Sequence, residues 1–256
     1  MKREQKYIVP NKFLDELRAT VHNFMEYDKN TPLGVNGSLR QYTVRSIYFD
    51  TMRFDDYYDK RAGLMYRKKI RIRSYNKLDD YPDQDPFVFL EVKRKVDFWS
   101  SKNRSRVKFK NLNKLLNTAD VDKFIELNGR AEDLDDAKRF FFHYIRKSLK
   151  PVVLVVYERE AFHSKFDPYF RVSIDKNIRS KVYPEPENLF SEKGLNTTFF
   201  NDFVLEVKFS GAFPAWMLDM LHKFDVTRLS VSKYKYCLDS YKVWEANNKP
   251  RLFTNN

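Results

Sequence analysis

The chain has 256 residues, with 48 Lys and Arg against 35 Asp and Glu, a net charge of +13 near neutral pH. Hydrophobic residues at 42% and aromatics at 16% exclude wholesale disorder, because that much apolar area offsets the entropy lost on folding. The single cysteine, Cys237, excludes an intrachain disulfide and a cysteine-built zinc site, while the cationic excess points to an anionic partner.

The predicted elements run as follows. A first strand at 3–9 places Glu4 and Lys6 on one face. A helix is expected at 10–27, where Phe13, Leu14, Leu17, Val21 and Phe24 recur at helical spacing behind the start signals Pro10 and Asn11. Residues 28–38 read as a loop. In the strand predicted at 66–75, side chains alternate, so Arg67, Lys69, Arg71 and Arg73 share one face while Ile70 and Ile72 take the other. After a loop at 76–86, the strand at 87–95 sets Glu91, Lys93 and Lys95 against Val88, Leu90 and Val92. The next, at 104–110, sets Arg104, Arg106, Lys108 and Lys110 against Ser105, Val107 and Phe109. A short helical pair is expected within 111–128, then an amphipathic helix over 133–149 that Pro151 ends. The strand at 152–160 aligns Val153, Val155, Tyr157 and Arg159. That at 170–175 aligns Arg171, Ser173 and Asp175 opposite Phe170, Val172 and Ile174. Beyond a loop at 183–198, the strand at 203–209 aligns Val204, Glu206 and Lys208 opposite Phe203, Leu205, Val207 and Phe209. A last helix at 214–224 carries Trp216, Met217, Met220 and Leu221 on one side.

The longest apolar run, 152–157, is far below the roughly 20 residues a membrane helix needs, and the first residues lack a signal-peptide core. The chain therefore reads as cytoplasmic. No composition shift marks a boundary, so a single domain is expected over 1–244, with a flexible tail at 245–256. His22, His143, His163 and His222 lack paired spacing, and no catalytic triad, Walker loop or dinucleotide fingerprint is visible.

Two architectures compete for the charged strand faces. A solvated face of an antiparallel sheet is normally polar, but it mixes Thr, Ser, Gln and both charge signs. These faces hold few carboxylates among many Arg and Lys. The expected fold is α+β: a closed antiparallel barrel with a charged lumen, its apolar outer face covered by helices.

The ordered set Arg45-Ser46-Ile47-Tyr48-Phe49-Asp50-Thr51, Tyr57, Lys60-Arg61-Ala62-Gly63 and Arg67 to Tyr75 resembles the VTC domain. Leu90-Glu91-Val92-Lys93, Tyr157 to Phe162, Leu205-Glu206-Val207-Lys208 and Ser232-Lys233-Tyr234 continue the likeness, which spans nearly the whole chain. That family is the polyphosphate-polymerase branch of the CYTH-like triphosphate tunnel metalloenzymes. The resemblance implies eight strands around a tunnel that holds ATP, triphosphate or polyphosphate. There the γ-phosphate of ATP is added to a growing chain with the help of Mn²⁺ or Mg²⁺. It also implies a possible membrane-protein partner. Nucleic acid is the least favoured ligand, because the Tyr and Phe side chains mostly occupy apolar phases instead of forming platforms beside the basic residues.

By the same resemblance, Arg71, Arg73, Lys93, Arg159 and Lys233 are the expected catalytic set. Lys6 matches the basic residue of the family's first strand. Lys69, Lys95, Arg104, Arg106, Lys108, Arg171 and Lys208 share the lumen phase and are expected to bind phosphate. Glu206 is the expected metal ligand, with Glu4 beside it. Glu91 is either a second carboxylate near the metal or a residue that orients Lys93. Where tunnel triphosphatases open with Glu-x-Glu-x-Lys, this chain has Lys2, Glu4 and Lys6. A cation thus replaces the first carboxylate, which favours the polymerase branch over hydrolysis. A metal-dependent triphosphatase and a non-catalytic polyphosphate-binding module are the competing readings.

Overall fold

The computed structural model describes residues 2–29, 31–32, 39–81, 84–96, 99–127, 129–130 and 132–241. The expected tail at 245–256 lies outside them. The elements are β1 (Lys2–Pro10), α1 (Leu14–Phe24), β2 (Met25–Tyr27), β3 (Tyr42–Asp50), α2 (Asp55–Arg61), β4 (Tyr66–Tyr75), β5 (Phe87–Val96) and β6 (Trp99–Lys108). There follow α3 (Leu112–Thr118), α4 (Val121–Phe124), α5 (Asp133–Arg146), β7 (Lys150–Ser164), β8 (Arg171–Val182), β9 (Asn196–Thr197), β10 (Asp202–Ser210), α6 (Ala215–Lys223) and α7 (Lys233–Asp239).

The described residues form two compact units, one within the stretches Met1–Val44, Val156–Arg179 and Asn196–Ser232, the other within Arg45–Val155, Ser180–Leu195 and 233–241. In the first, the strand order is β1-β10-β8-β7, with β2 added on β7 and β9 on β8. β1 and β10 are antiparallel, in a register that sets Lys6 opposite Glu206 and Glu4 opposite Lys208. β10 and β8 are antiparallel too, with Glu206 opposite Ser173 and Lys208 opposite Arg171. The alternate residues Val9, Val172, Ile174, Phe203, Leu205 and Val207 form one buried layer with Leu17 and Val21 of α1 and Met217 and Leu221 of α6. Stacked pairs Phe13–Phe224 and Phe24–Trp216, with centroids 4.4 and 4.6 Å apart, fasten the helices to each other. Each fully buried aliphatic or Phe side chain here contributes about 1.5–3 kcal/mol. The helical layer over the apolar strand face is therefore as expected. α1 is shorter than the expected 10–27. A 3-10 turn at Asn11–Phe13 precedes it, and Met25 turns extended to pair with Ser164, a strand contact that local periodicity does not reveal.

In the second unit the order is β3-β4-β5-β6. β4, β5 and β6 are successively antiparallel, with Arg71 opposite Glu91 and Glu91 opposite Arg104. Ile70, Ile72, Leu90, Val92 and Val107 are buried on the other face, and α5 packs against β5 and β6. There the Asp136 carboxylate accepts from Asn103 Nδ2 at 2.5 Å and from the Arg104 amide at 2.9 Å. β3 was not anticipated as a strand, because every residue from Val44 to Asp50 is buried and no alternation survives. β6 starts earlier than expected and so gains Lys102. It ends at Lys108, leaving Lys110 in the 3-10 turn Phe109–Asn111 rather than on the cationic face.

The expected closed barrel is corrected by the strand order. Among the described residues β1 has β10 as its strand neighbour and β6 has β5, so each is an open edge. Contacts from other stretches of the chain occupy these edges instead. The Leu229 amide donates to the Lys6 carbonyl at 2.9 Å, and a bridge from Val107 to Ile125 flanks β6.

Candidate functional site

The expected site residues divide between the two units. In the first, the Lys6 ammonium lies 3.0 Å from Glu4 Oε1 and 3.3 Å from Glu206 Oε2. Lys208 Nζ sits 2.6 Å from the other Glu206 oxygen. Burial alone would lower the Lys6 pKa, but Glu206 and Glu4 overcome it and hold the ammonium above its ordinary value. Nearby, Asp175 is fully buried and takes two hydrogen bonds from Arg159, at 2.5 Å from Nε and 2.7 Å from Nη2. This bidentate fork fixes the guanidinium plane. Arg171 stands exposed across from Lys208 on the same strand face.

In the second unit, three rows cross β4, β5 and β6: Lys69–Lys93–Lys102, Arg71–Glu91–Arg104 and Arg73–Phe89–Arg106. Arg67 opposite Lys95 and Lys108 opposite Phe87 extend the same face. Like charges placed directly opposite one another repel. Negative charge placed over this face would offset that repulsion. Glu91 has no exposed surface and accepts from Arg71 Nε at 2.7 Å; Lys102 Nζ and Arg104 Nε each lie 3.4 Å from its other oxygen. Burial alone would raise its pKa, yet Arg71, Arg73, Lys102 and Arg104 drive it far below the usual carboxylate range.

Aromatic groups sit among these cations. Arg71 Nη1 donates to the Tyr48 hydroxyl at 3.0 Å, and Tyr48 stacks on Tyr234 with centroids 5.1 Å apart. Arg73 Nε donates to Ser46 Oγ at 2.9 Å. Arg104 lies 3.5 Å from the Phe89 ring centroid and donates to the Tyr75 hydroxyl at 3.2 Å. Arg106 and Lys108 both cover Phe87, at 4.4 and 4.0 Å. Lys69 lies 6.0 Å from the Tyr234 ring, and Lys233 opens α7 immediately before it. Burial pushes the Tyr48 phenol up, but Arg71, Arg73 and Lys233 pull it below its ordinary value. Tyr75 shifts the same way, its burial outweighed by Arg73 and Arg104.

Sequence reasoning missed Lys102, Asp175 and the phenols of Tyr48 and Tyr75. Lys102 was reachable, since it shares the phase of Arg104 and Arg106. Tyr75 was reachable as well, since it follows Arg73 by two positions in the same strand phase, whereas Tyr48 carried no such signal, because only the packing of separate strands puts it beside arginines. For the expected metal, among the described residues no three His, Cys, Asp or Glu side chains gather where an ion could be held. The remaining donor set is Glu206 with Glu4. Two carboxylates fit a hard cation that completes its shell with phosphate oxygens and water. Glu91, fully buried and gripped by Arg71, fits that task poorly, and at Glu206 a metal would have to displace the lysine that lies against each oxygen.

A family model described as the VTC domain matches residues 1–242. The chain is 30% identical over 157 residues to the vacuolar transporter chaperone complex subunit 2 of Saccharomyces cerevisiae, a match covering 53% of this chain and 18% of that protein. Among solved structures, a protein of Pyrococcus horikoshii OT3 aligns over 93% of this chain and 99% of its own, at a TM-score of 0.43 and 15% identity. The triphosphatase of the mimivirus capping enzyme aligns over 87% of this chain and 88% of its own, at a TM-score of 0.31 and 10% identity. With the family model running from the first strand through α7, the chain belongs to the VTC domain family.

Proposed function

We propose that this chain is a polyphosphate polymerase domain, which adds the γ-phosphate of ATP to a growing polyphosphate chain with a divalent cation. One observation carries the reading: β4, β5 and β6 present Arg67, Lys69, Arg71, Arg73, Lys93, Lys95, Lys102, Arg104, Arg106 and Lys108 on one face against the single carboxylate Glu91. Phosphoryl transfer calls for in-line positioning and dispersed positive charge more than for covalent chemistry by the protein. Arg71 and Arg73 are directed by Glu91 and Ser46, so their guanidinium planes are set before a phosphate arrives. Glu91 is then a positioning residue. Lys69, Lys93 and Lys233 serve as point charges for phosphate oxygens.

Lys6, Lys208, Arg159 and Arg171 are assigned to phosphate binding in the first unit, with Arg159 also in the catalytic set. Glu206 with Glu4 would hold Mn²⁺ or Mg²⁺, which when bound neutralises charge on the phosphate oxygens. Since the family match runs through both units, we read them as one domain. Among the described residues no helix is long and apolar enough to cross a membrane, and we assign the domain to the cytoplasm, where ATP is abundant. A membrane-protein partner is proposed from the name of the yeast relative, a subunit of a vacuolar transporter chaperone complex.

The non-catalytic polyphosphate-binding module is a second reading, favoured by the two lysines that already neutralise Glu206. The metal-dependent triphosphatase is the third outcome. A gel assay with labelled ATP and Mn²⁺ separates them, because label enters polymer, is released as phosphate, or stays in ATP. Under the polymerase reading, Glu206→Gln abolishes polymer while triphosphate still binds, whereas Arg73→Ala weakens both. Polymer made at the wild-type rate by Glu206→Gln would overturn the metal assignment.

A further inference from the structure

The other face of β4, β5 and β6 carries a feature that phosphate chemistry does not use. Asn103, bonded to Asp136 of α5, shares a row with Ile70 and Val92, so this is the face that the helix covers. Two residues further along the strands the row is Lys68–Arg94–Ser101, and beyond it Tyr66–Val96–Trp99. Those last three side chains are 51%, 48% and 72% exposed, side by side on adjacent strands. On α5 itself, Phe142 and Ile145 are 54% and 61% exposed, with the exposed Lys138, Arg139 and Arg146 around them.

We propose that this end of the second unit docks on an anionic lipid bilayer, with Tyr66, Val96 and Trp99 in the headgroup region and the adjoining cations against lipid charges. Tyr and Trp are the residue types whose ring bodies and polar tips suit that boundary. The cations supply the complementary charge, and none of the six row positions is acidic. They converge in space. The His143 pKa is lowered to about 4, first by burial and then by Lys68, Lys147, Arg94 and Arg146, so sheet and helix cations act on one region. A second copy of the chain is a poor occupant, since it would bring the same cationic end against this one.

The test is co-sedimentation of the full chain with vesicles of phosphatidylcholine alone, or of phosphatidylcholine and phosphatidylserine in a roughly 7:3 ratio. Binding is expected only with phosphatidylserine, weakening as salt rises, with a blue shift in Trp99 emission that Trp99→Phe removes. Lys68→Ala with Arg94→Ala should lower partitioning by about 25-fold at low salt, near fivefold per cation. Val96→Ser with Trp99→Ser leaves the charge unchanged and should lower it by about tenfold or more. All four positions are outside the core, and melting curves check that each variant folds. Saturating tripolyphosphate should not displace the chain, which separates this surface from the opposite, phosphate-directed face. The proposal is overturned by absence of binding at low salt or by equal binding to both vesicle types. It also fails if both tip variants bind like wild type while Arg71→Ala with Arg73→Ala does not, because the lipid would then lie on the phosphate face. Loss of a dimer, rather than of vesicle binding, in the tip variants would assign the surface to a second copy and overturn it as well.

Discussion

Replacing Glu91 with Gln removes the carboxylate from a buried cluster while keeping its shape. The side chain has no exposed surface, and Arg71 reaches it at 2.7 Å through Nε and 2.6 Å through Nη2, with Lys102 and Arg104 at 3.4 Å. Removing one partner of a buried ion pair costs about 3–5 kcal/mol, because the remaining charge stays buried and unpaired. Lys102 and Arg104 retain access to water, so the lower end, about 3 kcal/mol, is expected. For a chain of this length that lowers the melting temperature by about 6–12 °C.

The pH dependence follows from the direction of the Glu91 shift. Its folded pKa is depressed, so its contribution is complete above the unfolded carboxylate range and is lost as pH falls through the folded value. The gap between wild type and Glu91→Gln should thus be full at neutral pH and close only below about pH 4. A triphosphate supplies the missing negative charge, so tripolyphosphate should raise the melting temperature of the variant more than that of wild type. Urea or thermal melts of wild type, Glu91→Gln, Arg71→Ala and the double variant measure the coupling directly. A loss below about 1 kcal/mol, or fully additive effects of the two substitutions, would refute the assignment of Glu91 as the anchor of Arg71.

Three further outcomes are expected. Asp56 is buried beside Asp50, with Lys147 3.5 Å away, and burial foremost raises its pKa to about 7. A raised carboxyl pKa means the folded state binds the extra proton, so stability falls as pH climbs from about 4 to 7. Asp56→Asn should flatten that decline, and denaturation at pH 5 and pH 8 that shows the same slope in both proteins would contradict it. Lys6→Met removes the ammonium between Glu4 and Glu206; calorimetric titration with Mn²⁺ should show tighter binding, and unchanged or weaker binding counts against a metal at these carboxylates. Leu17→Ala opens a void beneath α1, where Leu17 is fully buried, and should cost about 2–5 kcal/mol by urea denaturation without altering binding to tripolyphosphate.

Strand phase was legible along the chain wherever one face of a strand is apolar and the other charged. Ile70 and Ile72 are buried while Arg71 and Arg73 stay partly exposed, and Leu205 and Val207 lie in the helical layer while Glu206 faces the other way. Such alternation is a local property, set by the pleat and the cost of burying unpaired charge. Where both faces are buried, as in β3, the same rule had nothing to act on.

The residue types at the candidate site were thus determined before any fold was known: a chain that spaces Arg and Lys two apart on an amphipathic strand must present them together. Which cation meets which partner was decided only by register and packing. Arg71 is held by Glu91, twenty positions away in sequence, Arg159 by Asp175, and Lys6 by a carboxylate on β10. Whether the sheet closes was likewise beyond the sequence pattern. Alternation fixes the direction of a side chain, whereas closure depends on the accumulated twist and on what occupies the outer edges of β1 and β6. The bonds made there by Leu229 and Ile125 are contacts between distant stretches that no local pattern encodes.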